Sequence, residues 1–421
     1  MTTKQIWAFA LALWMTFSSC SSAFAQTFGP VSSYDELRSA VASAQNGDII
    51  LLSGEISAVS NEPLSTSAFI HLKSETGAVV RGLHLQNAAL ALTGIALEDG
   101  LIVNGTSQIS LGSGVTVSGS DGSAALSFSG NGALIVERGC EIEGGSGAAG
   151  ISIRHDGGEF YSSIEGRVTG GDGSSGGAGM IVSPLKEGGA VMITGSIKGG
   201  TGTSVGGHAL NLYDLSGNAY ITVGGTLQGG DGTIGGDGIQ LVSASDNVSV
   251  GISGQVKGGQ GESYGGNALI MMNAEDASSV NLSGRFSGGD AIGDGAQPGT
   301  SLNLVGDSAS LRARIDNCIL EDGKQLRPAA EPQPMPDVTA LPEITGEPVQ
   351  SMETTPSEID AEPAPEATDE PLPDESLPES TPEPLPEAPA EASEDADDPA
   401  IPAGSDAAIS DEATPGEADA E

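Results

Sequence analysis

The pair Gly-Gly recurs at Gly144, Gly170, Gly199, Gly229, Gly258 and Gly288, at intervals of 26, 29, 30, 29 and 30 residues. A fixed period of this length marks a solenoid, in which each repeat is too small to bury its own core and stacked neighbours share one. Aligned on the pair, apolar residues fall into columns. Two positions before it stand Ile142, Val168, Ile197, Leu227, Val256 and Phe286, and eight before it Val136, Ser162, Val191, Ile221, Val250 and Val280. Further back, Ile153, Val182, Leu212, Leu241 and Met271 share a column, as do Ile151, Met180, Leu210, Ile239 and Leu269. Polar positions alternate with these columns, as they do along strands with one face inward. Each repeat is therefore expected to hold three short strands and three turns. Four residues before the pair comes Gly166, Gly195, Gly225, Gly254 or Gly284, where the backbone must either turn with positive φ or pack closely.

Composition fits this reading and divides the chain. Glycine supplies 63 of 421 residues, about twice its usual share. A fibrous or disordered Gly-rich chain would lack inward columns. From Pro328 to Glu421 there are 27 acids, no Lys or Arg, and 19 of the 23 prolines. Such a segment cannot bury enough apolar surface to fold and is expected to be an extended, disordered acidic tail. Residues 26–327 carry 30 acids and 14 bases, a net charge of −16. Nucleic acid is excluded as a partner by phosphate repulsion, and anionic membrane surfaces are disfavoured for the same reason.

Met1–Ala25 has the form of a signal peptide. Lys4 precedes the apolar run "IWAFALALWMTF", too short to span a bilayer, and "AFA" at Ala23–Ala25 is a small-x-small cleavage site. The mature chain is expected to start at Gln26 and to be secreted or periplasmic, with no transmembrane segment. Acylation of Cys20 is the alternative, lipid-anchored processing. The mature start, "VSSYDELRSAVASAQNGDIILLSG", sets Ser33 and Glu36 as a capping box for a helix carrying Leu37, Val41 and Ala44 on one face. Gly47 stops it, and a buried strand follows. This suits a cap over the open end of the stack. Between residues 68 and 130 the coils are shorter, nearer twenty to twenty-five residues. Later ones gain their length between two Gly-Gly pairs, as in "GGDGSSGG", "GGTGTSVGG", "GGDGTIGG" and "GGQGESYGG". Loops that lengthen on one side form a ridge, the common binding face of a solenoid.

The opening "YDELRSAVASAQNGDIILLSG" resembles the entry to pectate-lyase-like β-helix proteins, and the Gly-rich coils resemble autotransporter passenger domains. The resemblance spans residues 30–327. It implies an all-β, right-handed parallel β-helix with an N-terminal capping helix. The fold carries lyases, hydrolases, adhesins and fibres alike, so function must come from the site.

Lyases of this resemblance use clustered carboxylates holding Ca²⁺ with a nearby Arg or Lys as base. Asp172, Asp231 and Asp290 share a column in alternate coils, about 10 Å apart and too far to share one ion. Asp237 lies in the same loop as Asp231. Lys198 and Lys257 flank Gln228 in another column. A catalytic reading sets Lys198 or Lys257 as base beside Asp231, whereas a solvated ladder explains the same residues. Tyr161, Tyr213, Tyr220 and Tyr264 do not share one column, against a sugar-stacking platform. "RHDGGEF" puts His155, Asp156 and Glu159 in or beside a turn, with Glu187, Asp246 and Asp276 following in later coils. With four His in all and no Cys/His spacing, zinc is excluded; the loop carboxylates offer Ca²⁺ at most a loose site. No cofactor is expected. The preferred reading is a non-catalytic exported solenoid whose ridge, with Asp172, Asp231, Asp237, Asp290, His208 and Asn267, binds a surface glycan or protein. A polysaccharide lyase or hydrolase, or a passive envelope spacer, are the alternatives. Cys140 and Cys318 stand about six coils apart, roughly 29 Å along the axis, too far for a disulfide.

Overall fold

The computed structural model describes residues 25–58, 62–274, 278–305 and 318–321. The signal segment (save Ala25), the acidic tail and Asp276 lie outside the described residues.

Helix α1 is Tyr34–Ser43. Ser33 caps it in an extended conformation, its hydroxyl accepting the Glu36 amide at 3.3 Å. The return arm of the box is displaced by one residue: Glu36 accepts from the Ser32 amide at 2.9 Å rather than from the cap residue. That bond holds the Glu36 carboxyl below its usual range. Leu37 and Val41 are buried, while Ala44 is an extended, half-buried C-cap. The helix packs on strands Thr27–Val31, Ile49–Leu52 and Leu64–Leu111 at the N-terminal end of the stack. Asp48, buried behind it, accepts the amides of Gln26 and Gln45 at 2.8 and 2.7 Å.

From there the chain winds as a parallel β-solenoid with three strand faces. One coil shows the plan: Ile151–His155 on the first face, Phe160–Ile164 on the second, Arg167–Thr169 on the third. Each strand pairs in parallel with its counterparts in the coils before and after. On the first face the partners of Ile151 are Leu126 and Met180, and the ladder continues through Leu210, Ile239, Leu269 and Leu302. The Ile153–Val182–Leu212–Leu241–Met271 column holds in full, as does Ile142 through Phe286 on the third face. These columns form one continuous core, and each fully buried Leu or Ile contributes roughly 1.5–3 kcal/mol. Coil length changes as anticipated: Ile49 pairs with His71 and Leu101 with Leu126, but Ile151 pairs with Met180 and Met180 with Leu210.

Two expectations need correction. Val136 does not share a column with Ser162. It pairs with Ile164, and Ser162 lies between Leu134 and Val191. The cause is the turn before the third face: Glu137–Cys140 takes four residues where Glu165–Gly166 takes two. Ser162 is consequently a wholly buried hydroxyl in an apolar column, with no hydrogen-bond partner. Second, coils hold four strands rather than three from Gly173 onward. Gly173–Ser175, Gly202–Val205, Gly232–Ile234 and Gly261–Tyr264 form a separate four-stranded parallel sheet within the added loops.

The recurring single glycine serves close packing, not positive φ: none of Gly166, Gly195, Gly225, Gly254 and Gly284 has a left-handed backbone. Cys140 heads this column, and Cys318 ends it. Their neighbours Glu141 and Ile319 are joined by six ladder steps through Arg167, Ser196, Thr226, Gln255 and Arg285. Both thiols are free, as their separation requires. Cys140 is fully buried, and desolvation, helped by Glu137 and Glu141, pushes its thiol up to about 12. The thiolate is the reactive form; desolvation raises the half-buried Cys318 thiol as well, so at pH 8 iodoacetamide is expected to modify Cys318 slowly on the native protein. Cys140 should react only after denaturation. Peptide mass spectrometry of the two labelled samples checks this, and native labelling of Cys140 would contradict the packing.

Candidate functional site

Among the described residues the ridge is where the solenoid departs from three faces, and its side chains divide into three columns. The first follows the leading Gly-Gly pair: Asp172, Thr201, Asp231, Gln260, Asp290. Here the carboxylates bind the stack itself. Asp172 Oδ1 accepts the Thr201 amide at 2.6 Å, and Asp231 Oδ1 accepts the Gln260 amide at 2.8 Å. Asp290 instead faces Lys257, with Nζ 3.8 Å from Oδ2. The three acids alternate with neutral residues along the ladder, as the spacing required.

The second column follows the trailing pair: Ala178, His208, Asp237, Asn267, Thr300. It is a chain of side-chain-to-backbone bonds running along the axis. The Asp237 amide donates to His208 Nδ1 at 3.0 Å. Asp237 Oδ2 lies 3.2 Å from the same nitrogen. Asp237 Oδ1 accepts both the amide and the Nδ2 of Asn267, at 2.7 and 3.0 Å. Asn267 Oδ1 in turn accepts from the amide and hydroxyl of Thr300, at 3.0 and 2.7 Å. Asp237 is only 7% exposed. His208, Asp237 and Asn267 thus lock coil to coil, and Asp237 is not directed with Asp231 toward a common ion. Among the described residues no three His, Cys, Asp or Glu side chains gather in a group able to hold a metal.

The third column was not anticipated. Ser175, Val205, Ile234 and Tyr264 are ladder partners on the ridge sheet. Three of them are large, apolar and exposed: Val205 at 37%, Ile234 at 42% and Tyr264 at 51%. Ile292, in the next ridge loop, is 67% exposed. Among the described residues seven large apolar side chains are exposed, and four belong to these loops. Isolated exposed apolar residues are ordinary; three in register on one sheet make a stripe about 10 Å long. The signal was present in the sequence, since each stands immediately before the trailing Gly-Gly pair.

The catalytic candidates do not converge. Lys198, Gln228, Lys257 and Ser287 form a column on the outer side of the third face. Lys257's acidic neighbour is Asp290, and the Asp231 carboxylate is engaged with a backbone amide. In "RHDGGEF" the strand ends at His155 and the turn follows it. His155 continues the inward alternation of Ile151 and Ile153 and is wholly buried, stacked on Phe160 with centroids 5.4 Å apart. Its ring nitrogens face the carbonyls of Gly130 and Glu187 at 3.1 and 3.3 Å. It cannot meet a substrate. Asp156 is exposed between Arg154 and Lys186, at 3.0 and 3.4 Å. A shallow groove of about 390 Å³ is lined by Glu159, Glu187, Asn218 and Tyr220 and has no Lys or Arg in its lining. Tyr161 and Tyr220 share a column with Ala190 between them, and Tyr161 is buried. Tyr213 and Tyr264 lie elsewhere.

No helix among the described residues is long and apolar enough to cross a membrane. No protein-family model matches this chain, and comparisons with curated proteins and with solved structures return no match.

Proposed function

We propose that this protein is an exported, non-catalytic β-solenoid that binds a surface glycan or protein through its ridge. The observation that carries the proposal is the in-register stripe of Val205, Ile234 and Tyr264 on a sheet of its own, among mainly polar, exposed loops. A sheet raised by added residues and faced with apolar side chains has no role in closing the core, which the three main faces already enclose. Kinship with pectate-lyase-like and passenger-type β-helices belongs to this reading, as does export through the N-terminal segment. Catalysis is not favoured, because Asp172 and Asp231 are spent on backbone amides and Lys257 faces Asp290 at 3.8 Å rather than Asp231.

The test uses the full chain and a triple variant, Val205→Ser, Ile234→Ser and Tyr264→Ser, against a glycan panel and isolated surface proteins. Retention on at least one ligand, reduced tenfold or more in the variant without turnover, is the expected result. Release of unsaturated or reducing sugar ends, lost on Lys257→Ala or Asp231→Asn, would replace this reading with a lyase or hydrolase. Absence of both retention and turnover would leave a spacer.

A further inference from the structure

The charge around the stripe narrows the partner. The five stretches that build the ridge, residues 170–177, 199–207, 229–237, 258–266 and 288–299, contain Asp172, Asp231, Asp237, Glu262, Asp290 and Asp294, and no Lys or Arg. Asp237 is buried in the inter-coil ladder, but the others border solvent, and Glu262 lies between Gly261 and Tyr264 on the ridge sheet itself. Lys198 and Lys257 stand at the base of the ridge, immediately before two of these stretches, and Lys257 lies 3.8 Å from Asp290. The surface is therefore apolar at its centre and acidic at its rim.

From this we infer that the ridge is a docking surface for a cationic, amphipathic polypeptide segment. The inference rests on the ridge-binding reading and selects within it. Complementary potentials decide which partners reach a surface and which are turned away, while buried apolar contact supplies most of the affinity. An acidic glycan, an anionic lipid surface or a second copy of this acidic body would meet like charge at the rim. A neutral sugar would leave the rim carboxylates without counter-charge and would find a single aromatic ring, Tyr264, on which to stack. A Lys- or Arg-bearing segment with apolar side chains satisfies both parts: its apolar groups cover Val205, Ile234 and Tyr264, and its cations sit over Glu262, Asp290 and Asp294. The long aliphatic stems of Lys and Arg also cover apolar surface while their charged ends remain wet.

The experiment measures binding of the full-length protein to three synthetic peptides of equal length, built from Lys and Leu, from Glu and Leu, and from Ser and Leu. Two variants accompany the wild type. Val205→Ser/Ile234→Ser/Tyr264→Ser removes the stripe and leaves every charge in place. Glu262→Gln/Asp290→Asn/Asp294→Asn neutralises the rim and leaves the stripe. All six positions are exposed or at the surface, so both variants should melt with the wild type, as circular dichroism can verify. The acidic tail is common to all three proteins, so differences between them report on the ridge. The Lys/Leu peptide is expected to bind at least tenfold more weakly to the stripe variant and several-fold more weakly to the rim variant, with a shallower salt dependence in the latter. Equal Lys/Leu binding by all three proteins overturns the inference. Ridge-dependent binding of the Glu/Leu or Ser/Leu peptide, or of a glycan, in preference to Lys/Leu also overturns it but leaves the ridge-binding reading intact. If no peptide or glycan responds to either variant, both fail.

Discussion

Gly225→Ala is expected to destabilise the solenoid by about 3 kcal/mol or more, while Gly224→Ala, one residue earlier, should be neutral or slightly stabilising. The two glycines share a turn between the second and third faces, but Gly224 is exposed while Gly225 is buried against the preceding coil. A methyl group on Gly225 would stand 2.0 Å from the carbonyl oxygen of Gly195 in the preceding coil and 2.8 Å from the carbonyl carbon of Thr194. Both are backbone atoms. Relief requires the coils to part, which would also weaken the bond from the Thr226 amide to Gly195 O, now 3.0 Å. Overpacking usually costs about 1–3 kcal/mol where side chains can yield; here none is available to yield. On Gly224 the methyl would meet nothing nearer than 3.8 Å, and its φ is not left-handed. Restricting the unfolded chain there contributes roughly 0.4–1 kcal/mol in favour of folding. Urea midpoints of the two variants against wild type decide the matter. Equal midpoints would mean the coils do not approach as described.

Asp237→Ala is expected to cost about 1–2 kcal/mol, because it leaves two donors of Asn267 without their acceptor in a part-buried site, and such a loss is worth roughly 1–3 kcal/mol when fully buried. Asp237→Asn keeps an acceptor oxygen facing the Asn267 amide and should cost under about 1 kcal/mol. The pair separates the hydrogen bond from the charge. If Asn is as damaging as Ala, the negative charge near His208 matters more than the ladder. The same two variants distinguish this column from the ridge surface, since neither should alter binding measured with the stripe intact.

Much of the fold was legible because the inward columns are apolar and the Gly-Gly pairs fix their register. Legibility failed where local chemistry departed from that frame. The slip at Val136 came from a turn two residues longer, ending in Cys140, which an alignment counted back from the pair cannot detect. The ridge strands were missed because Gly-Thr-Ser and Gly-Glu-Ser lack the β-branched alternation by which strands are recognised; their pairing is imposed by the stack beneath them. His155 stands beside the turn, at the end of a strand, but its inward direction, which follows from strand spacing after Ile151 and Ile153, is masked by its polarity. For the site, the acids and His208 lie in or beside the ridge loops, where Asp172, Asp231 and Asp237 accept amides of the next coil. A carboxylate directed at ligand and one directed at the next coil's amide look alike in one dimension.

The step from 25-residue to 29- or 30-residue coils has a consequence for how such a surface can change. Coils in a solenoid touch only their neighbours, so stability accumulates step by step. Excising residues 210–238 would join Ala209 to Ile239, a residue that already occupies the ladder position of Leu210. The inward columns would close again, with the ridge one strand shorter. Removing half as many residues would set apolar positions against polar ones through every following coil. The extent of the ridge is therefore an integer, counted in whole windings, and duplication or loss of a winding is the natural unit by which it lengthens or contracts.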